Sequence, residues 1–361
     1  MNILWITGRR LDKDLASQTE LKIANSLSDM GVNITMVSPG DIPIQKNNKI
    51  DFLTLNESKI IGLKTISAGL SIKKTLSGVQ IKFNHALVDW RMVQFCYSYL
   101  EMEELSWSLI DRGPPTFDGI LAQIQKYQWR NSWKIANKRT EMAYVVSEAH
   151  SDYVENRTPF KGKKIILPAG VDKSWINQKG KKITTEINIC YCGSLDKNRG
   201  LSEIFKLSKN LKFLPIKSKI LIIGNGNYVK NIQDFSSQNS NLEYLGKITD
   251  RRKLEMILES CHIGIMPMPN KEIWNISSSI KLPEYLSKGM LIIGVKQPGN
   301  IDGIGPFYQL SSSNWPRDSI EKISKIIENG EWEEYSLKSL EKVHSMTWDK
   351  TAKAILDSIN R

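Results

Sequence analysis

The chain has 361 residues, of which 40% are hydrophobic and 24% charged, and it carries a formal net charge of +12. This length exceeds what one hydrophobic core usually supports, and the composition excludes a disordered or low-complexity protein. The excess of lysine and arginine indicates an anionic partner, such as a phosphorylated metabolite, an acidic membrane surface or nucleic acid.

The cysteines are too few and too unevenly spaced for a disulfide framework or a zinc site, and we expect them to be reduced. They are Cys96, Cys190, Cys192 and Cys261. The N-terminal MNILWITGRR has too short an apolar run for a signal peptide. No segment approaches the roughly 20 apolar residues that a bilayer span needs. The sequence therefore predicts a cytoplasmic protein.

The first half of the chain alternates apolar runs with helix-length segments. NILWIT ends at Gly8, the helical pattern of ASQTELKIANSLSDMG stops at Gly31, and the apolar run VNITMVSPG follows. A strand, a crossover helix and a second apolar strand are typical of a parallel α/β unit. Further strands are predicted in IDFLTL, SWSLID, MAYVVS and KKIILPAG. We therefore predict one doubly wound domain over residues 1–172.

Residues 59–92 are strongly basic, because Asp89 is the one acid among them. Their cations are Lys59, Lys64, Lys73, Lys74, Lys82 and Arg91. Apolar residues interleave at helical spacing, which favours a basic amphipathic surface that lies on the anionic inner face of a membrane. A helix pair that packs on the core with a solvated basic face explains the pattern equally well.

A lysine-rich connector, KSWINQKGKKITTE, precedes a second set of apolar runs, INICYCG, KILIIGNG, NLEYLG, HIGIMPMP and MLIIGV. Runs this apolar suit parallel strands that are covered on both faces. We predict a second α/β domain over residues 173–345 and a C-terminal helix over residues 346–361 that returns to the first domain. Two such sheets facing each other across a cleft would hold ligands at the carboxyl ends of their strands.

The segment NISSSIKLPEYLSKGMLIIG, residues 275–294, predicts a helix with polar first turns. Proline is tolerated only in a first turn, so Pro283 indicates that the helix begins near Ser279. Free N–H groups at such a terminus bind anions. The serines expected around the N-cap are Ser277, Ser278 and Ser279.

Lys281 and Glu284 are three residues apart and share one face of this predicted helix. Lys281 would meet a phosphate, and Glu284, one turn deeper, would accept hydrogen bonds from a vicinal diol such as ribose. Ordinary serine capping with a surface Lys–Glu pair is the alternative interpretation.

Two further strands of the second half end in glycine. In CGSLDKNRGL a strand ends at Gly193, and a loop with Arg199 leads to a helix at Gly200. Glycine permits close backbone approach, and arginine offers a planar fork for diphosphate oxygens. IIGNGNY carries Gly224, although its GxG is weak by itself and a plain turn explains either exit alone. Together, the glycine-bearing exits predict a nucleotide site.

The chain resembles the retaining glycosyltransferases of family 4 over nearly its whole length. The matching segments are TELKIANSLSDMGVNITMVSPG, LPAGVD, YCGSLDKNRGL, NLEYLGKIT, SCHIGIMPMP, SIKLPEYLSKGMLII and MTWDKTAKAILDSI. The resemblance implies the α/β GT-B fold with two Rossmann-like domains, and transfer of a sugar from a nucleotide-diphosphate sugar with retention at the anomeric carbon. The acceptor would be a hydroxyl of a glycan or a lipid-linked molecule. No cofactor and no metal would be required.

Carried over residue by residue, the resemblance implies that Arg199 and Lys281 neutralise the leaving diphosphate. Glu284 would bind the ribose, and Lys247 and Ile248 would lie beside the base. The implied donor-binding residues are Gly193, Ser194, Gly224, Lys247, Ile248, Ser277, Ser278, Ser279 and Glu284.

Two positions depart from the family pattern. A family arginine in the diphosphate loop is Ser194 here, and a family glutamate that contacts the donor sugar is Ile276. A nucleotide-sugar epimerase of the same fold and a non-catalytic partner subunit therefore stay open as alternatives. No carboxylate pair can be placed as the acid and base of a hydrolase. Phosphate and membrane roles explain the basic residues, so we predict no nucleic-acid partner.

The first domain is expected to bind the acceptor. Gly8 would leave room after the first strand, Arg9 would meet a phosphate, and Arg112 follows the strand SWSLID. His85 and His150 are acid–base candidates, although most single histidines are not catalytic.

Two other features of the first half have a chemical and a structural interpretation. The tryptophans would either stack on sugar rings or fill the core; they are Trp107, Trp129 and Trp133. The triplet DKD at Asp12–Asp14 matches a metal motif of other glycosyltransferases by letters alone. We therefore predict no metal site there.

Overall fold

The computed structural model describes residues 1–13, 17–43, 49–60, 63–115, 119–183, 185–303 and 314–360. The chain divides into two compact units. Unit 1 comprises Met1–Pro168 and Trp348–Arg361, and unit 2 comprises Ala169–Thr347. Each unit has its own hydrophobic core.

Each unit is built on a parallel sheet. The strands are β1 (Asn2–Ile6), β2 (Asn33–Pro39), β3 (Ile50–Leu55), β4 (His85–Asp89), β5 (Trp107–Ile110), β6 (Met142–Val145), β7 (Lys163–Ile166), β8 (Glu186–Ser194), β9 (Lys217–Asn225), β10 (Leu242–Gly246), β11 (Ile263–Met266) and β12 (Leu291–Gly294). In the described residues, the sheet of unit 1 has the order β3-β2-β1-β4-β5-β6-β7. The sheet of unit 2 has the order β10-β9-β8-β11-β12.

Helices connect the strands and cover the sheets. They are α1 (Gln18–Asp29), α2 (Lys64–Leu76), α3 (Val93–Met102), α4 (Ile120–Arg139), α5 (Glu148–Glu155), α6 (Leu201–Asn210), α7 (Val229–Gln238), α8 (Arg251–Ser260), α9 (Glu272–Asn275), α10 (Lys281–Ser287), α11 (Trp315–Glu328), α12 (Trp332–Val343) and α13 (Trp348–Ile359). The last helix belongs to unit 1, where Ser26 of α1 donates a 3.1 Å hydrogen bond to Asp349. No helix in the described ranges has both the length and the apolarity needed to cross a bilayer.

The five apolar runs of the second half are all strands, as predicted, and correspond to β8–β12. Residues such as Ile189, Ile220 and Ile263 on neighbouring strands are fully buried. Short apolar runs bounded by glycine leave little choice but a strand covered on both faces, since a helix needs a longer segment.

The prediction of helices throughout residues 59–92 is wrong in its second half. Helix α2 ends at Leu76, and His85–Asp89 forms β4, which pairs with β1 and β5 in the middle of the sheet. Every residue of β4 is buried. A five-residue run covered on both faces shows no alternation, so its periodicity could not separate strand from helix.

The cysteines form no disulfide within the described residues, and three of the four are buried. Burial raises the pKa of Cys96 and raises the pKa of Cys192 to about 12, so both thiols stay protonated at neutral pH. They pack as small apolar side chains, as predicted.

Candidate functional site

Two glycines and a lysine meet at the carboxyl end of β8. Gly193 pairs with Gly224 in the register of β8 and β9, and a Cβ on Gly224 would lie 1.8 Å from the Gly193 carbonyl oxygen. A Cβ on Gly193 would lie 2.2 Å from Lys281 Cε and 2.8 Å from its Nζ. Only glycine fits at position 224, where φ is +146° and the clash would be with backbone; at position 193 the neighbour is the flexible end of the Lys281 side chain. The Lys281 side chain occupies the space that a side chain at position 193 would fill.

Helix α10 is anchored on the same strand end. The backbone N–H of Cys192 donates a 2.9 Å hydrogen bond to Tyr285 Oη, and the Tyr285 ring packs on Gly264 of β11. The charges of α10 also reach Cys192: burial raises its pKa, the ammonium of Lys281 opposes that rise and the carboxylate of Glu284 adds to it. Lys281 and Glu284 therefore face one strand end, as their spacing predicted.

The prediction that serines surround the N-cap of this helix is wrong. The N-cap is Ile280, no side chain caps the helix, and α10 has only seven residues. Pro283 does lie in the first turn. The serine hydroxyls instead bond to the carbonyl of Trp274 (2.8 Å), the N–H of Ala169 (2.8 Å) and the N–H of Lys281 (3.3 Å), for Ser277, Ser278 and Ser279 respectively. They fix the turn that precedes the helix.

Arg199 lies at the junction of two strand exits. It ends a 3-10 turn after β8, and Gly200 follows with a φ of +73°. A Cβ on Gly200 would lie 1.9 Å from the Pro267 carbonyl oxygen, so the loop is pressed against the end of β11. The Arg199 Cζ atom lies 4.4 Å from the ring centroid of Trp274, and Nη1 lies 3.9 Å from Met268 Sδ. Sequence reasoning missed both of these neighbours.

The hydroxyl of Ser194 is used within its own loop. It donates a hydrogen bond to the carboxylate of Asp196, and this bond lowers the pKa of Asp196. Asp196 also accepts a 3.2 Å hydrogen bond from the N–H of Asn227, which joins the exits of β8 and β9. Ser194 therefore reinforces the loop.

The remaining predicted donor-side residues lie farther along the same edge. Lys247 and Ile248 follow β10, two strand positions from β8; Lys247 is exposed and Ile248 is half-buried. Tyr244 Oη donates a 3.1 Å hydrogen bond to the Gly224 carbonyl, which ties the exits of β10 and β9 together. Ile276 is buried and offers no polar group.

In unit 1, the prediction that Gly8 leaves open space is wrong. A Cβ on Gly8 would lie 2.6 Å from Met92 Cε and 2.8 Å from Arg91 Cβ, so the segment after β4 fills this space. Arg9 Nε lies 3.7 Å from a carboxylate oxygen of Glu20, at the start of α1. Arg9 is therefore part of a charged cluster at the carboxyl end of the sheet.

Glu20 is a buried carboxyl that sequence reasoning missed. It has no exposed surface, and within the described residues neither of its carboxylate oxygens accepts a hydrogen bond of ordinary geometry. Burial, reinforced by the carboxylate of Asp89, raises its pKa to about 7, while Arg9 and Arg91 oppose the rise. Arg91 Nη1 is 3.0 Å from a carboxylate oxygen of Asp89, so these two opposite charges form an ion pair beside Glu20.

Arg112 donates a 2.6 Å hydrogen bond to the Leu167 carbonyl within unit 1. Burial lowers its pKa to about 10, and the Glu20 carboxyl opposes this effect. The guanidinium therefore joins the ends of β5 and β7.

His150 is a core residue, and its prediction as a cleft residue is wrong. Its side chain has no exposure, and Nε2 lies 3.4 Å from Asp111. The indole N–H groups of Trp129 and Trp133 donate to the same carboxylate at 2.6 and 2.9 Å. Burial alone would raise the pKa of Asp111, but His150, the indole N–H of Trp129 and the backbone N–H of Gly113 outweigh it and lower the pKa. These tryptophans therefore fill the core.

His85 is also structural, because it lies at the amino end of β4, opposite the edge where ligands bind. Its ring nitrogens lie 3.0 and 2.9 Å from the hydroxyls of Ser106 and Ser108, and burial lowers its pKa to about 4. Asp12 of the DKD triplet accepts hydrogen bonds from Arg10, and Asp14 lies outside the described residues. Across the described ranges, no group of three or more His, Cys, Asp or Glu is arranged to hold a metal ion.

No protein-family model and no curated protein sequence matches the chain. Solved structures match its full length. Sucrose-phosphate synthase from Thermosynechococcus elongatus superposes with a TM-score of 0.78 at 11% identity, over 100% of this chain and 98% of that chain. A glycosyltransferase from Rickettsia africae gives 0.76 at 11% identity, over 99% and 97%. A pneumococcal O-GlcNAc transferase in complex with UDP and GlcNAc gives 0.73 at 9%, over 100% and 98%.

These identities are low enough that the matches establish the fold alone. The fold class predicted from the sequence, an α/β GT-B architecture with two Rossmann-like parallel sheets, is confirmed.

Proposed function

We propose that the protein is a glycosyltransferase of the retaining family 4 type, which moves a sugar from a nucleotide-diphosphate sugar to an acceptor hydroxyl. The observation that carries this proposal is the placement of Lys281 directly over Gly193, with Gly224 in backbone contact at the next exit. Ligands of parallel α/β sheets bind at this edge. Among the proteins of similar fold, one is in complex with UDP and another with UDP-glucose.

The chemistry requires that a diphosphate leave the anomeric carbon as the acceptor oxygen bonds to it. The departing group gains negative charge, which fixed cations at the site stabilise more than they stabilise the ground state. Lys281 supplies a point charge and Arg199 a planar fork for phosphate oxygens. Because two cations already serve this role, we propose that no metal and no cofactor is required.

The other donor contacts are assigned by the same proposal. Glu284 would accept hydrogen bonds from the ribose hydroxyls, since it shares the face of α10 with Lys281. Lys247 and Ile248 would lie beside the base. In the turn of Ser277–Ser279, the hydroxyls and the N–H groups of Ser277 and Ser279 already bond to the protein, so this turn would approach the donor through the N–H of Ser278.

Turnover with a chelator present tests the proposal. A thermal-shift screen first identifies the nucleotide sugar that raises the melting temperature. With that donor, an acceptor preparation and EDTA, nucleoside diphosphate should accumulate only when both substrates are present. Conversion of the donor sugar without an acceptor would instead show an epimerase. Tight donor binding without turnover against any acceptor preparation would show a non-catalytic partner.

We also propose that the acceptor is a glycan or a lipid-linked molecule and that unit 1 docks on an anionic membrane. Apolar side chains in and beside α2 are exposed, with Leu70 at 74% and Ile60 at 63%. Lysines of the same segment are exposed too: Lys64, Lys73 and Lys74 lie on α2, and Lys59 and Lys82 lie before and after it. Exposed apolar and cationic side chains on one helix are typical of a surface that lies in a lipid headgroup layer.

Replacing Lys64, Lys73, Lys74 and Lys82 with glutamate should release the protein from anionic vesicles. Each lysine near such a surface contributes about 1 kcal/mol, so we expect co-sedimentation at low salt to fall by at least about 100-fold. The matched control replaces four exposed lysines of unit 2, Lys209, Lys212, Lys217 and Lys253, and should still bind. If the unmodified protein does not associate with anionic lipid at low salt, the membrane proposal is wrong.

A further inference from the structure

The guanidinium of Arg199 is held by an aromatic ring and a sulfur atom. Its Cζ atom lies 4.4 Å from the ring centroid of Trp274, and Nη1 lies 3.9 Å from Met268 Sδ. Both neighbours come from the segment after β11. The loop lies directly against that segment, because a Cβ on Gly200 would lie 1.9 Å from the Pro267 carbonyl oxygen.

No carboxylate within the described residues forms an ion pair with Arg199, although the side chain is half-buried. Its Nε atom is buried and has no hydrogen-bond partner among the residues that the structure describes. Other partly buried arginines do pair with acids: Arg10 with Asp12, and Arg91 with Asp89. A guanidinium that is partly withdrawn from water without a carboxylate beside it loses hydration that no ion pair replaces.

The nearest acid in sequence, Asp196, forms no ion pair with Arg199 within the described residues. Its pKa is lowered chiefly by the hydrogen bond from Ser194 and, to a smaller extent, by the charge of Arg199. Asp196 accepts hydrogen bonds from the Ser194 hydroxyl and the Asn227 N–H. Stacking on an indole, by contrast, attracts a cation through the ring face and leaves the N–H groups at the guanidinium edge available. A ring therefore fixes the fork of Arg199 without neutralising it.

We infer that Trp274 is a positioning residue, which holds Arg199 at the end of β8 so that its charged edge meets the phosphate group farther from the nucleoside. This inference rests on the proposed donor site. In a purely structural site, a carboxylate would hold the arginine in place and neutralise it. Here Trp274 holds Arg199 in place, and the charge of Arg199 remains available to the ligand.

The test compares nucleoside diphosphate and monophosphate binding by calorimetry, with UDP and UMP, and with the guanosine and adenosine pairs. The wild-type protein should prefer the diphosphate of one base. Trp274→Leu should reduce this preference by about fivefold to thirtyfold, the range of a lost cation–π contact. Trp274→Phe keeps a ring and should stay close to wild type. Phe213→Leu, which removes the ring beside Lys212 in the same unit, is the matched control and should change nothing.

A double-mutant cycle separates positioning from general loss of structure. In an Arg199→Ala background, Trp274→Leu should cause no further loss of diphosphate preference, because the group that it positions is gone. Met268→Leu removes the sulfur contact at similar volume, and should lower the preference by about twofold even if Trp274→Leu does not fold.

The inference is overturned if Trp274→Leu weakens UDP and UMP binding equally, or if its effect persists without Arg199. If the wild-type protein prefers a diphosphate and Trp274→Leu leaves that preference intact, the role of Trp274 is contradicted. The proposed function is not contradicted by that result. A wild-type protein that binds no nucleoside diphosphate contradicts both.

Discussion

Arg199→Ala and Lys281→Ala are each expected to lower kcat/KM for sugar transfer by about 10²–10³-fold. Removing one donor that stabilises transition-state charge typically costs about 2.7–4 kcal/mol. The effect should appear chiefly in kcat, because the diphosphate carries more charge when it leaves than when it is bound as the sugar ester. Steady-state kinetics with the donor found by thermal shift measures both parameters.

Neither substitution should unfold the protein. Within the described residues, Arg199 and Lys281 form no ion pair, so their removal leaves no buried carboxylate without a partner. Lys322→Ala, on the exposed face of α11, is the matched control and should keep wild-type kinetics. Wild-type turnover in either site variant would show that its cation does not act on the diphosphate.

The stability of the protein should fall between pH 5 and 8 because of Glu20. Burial raises the folded-state pKa of this carboxyl from 4.5 to about 7, so the folded state holds a proton that the unfolded state releases. A raised pKa gives stability that is complete below the unfolded value and is lost as pH rises through the folded one. The shift corresponds to about 2–3 kcal/mol over this range.

Glu20→Gln should remove that part of the pH dependence. The amide has nearly the same shape and cannot ionise, so the variant should gain about 2–3 kcal/mol on the wild type between pH 5 and 8 by urea unfolding. Glu141→Gln, at an exposed position, is the control and should run parallel to the wild type. Parallel curves for Glu20→Gln would mean that Arg9, Arg91 and Arg112 hold the carboxyl ionised throughout, against burial and the carboxylate of Asp89.

The donor side of the fold was accessible to sequence reasoning because its signals are local. Glycine at the end of an apolar run marks both a strand terminus and a point of close approach, and Gly193 and Gly224 prove to be such points. The spacing of Lys281 and Glu284 fixes their common face in any helix. The start of α10 was less accessible, since long-range hydrogen bonds of Ser278 with Ala169 and of Ser279 with Asn300 fix the turn before it.

Side chains in unit 1 were misjudged because burial depends on distant partners. The partner of His150 is Asp111, which lies far away in sequence. Strand β4 is a run of only five residues, which is too short to distinguish a strand from a helix. Glu20 did carry a signal: it lies four residues before Ala24 and seven before Leu27, on the buried stripe of α1. An acidic residue in the first turn of a helix is normally exposed and stabilises the helix, so the position of Glu20 did not indicate that it is buried.

Hydrogen–deuterium exchange with a saturating nucleoside diphosphate tests the central claim most directly, because it locates the ligand on the chain. Bound phosphate oxygens and the ordering of the strand exits should slow exchange of the backbone amides there. We predict protection in peptides that cover residues 193–200, 224–228 and 277–284, and its loss from these peptides in Lys281→Ala. Protection confined to unit 1, or none under saturating ligand, would contradict a donor site at this edge.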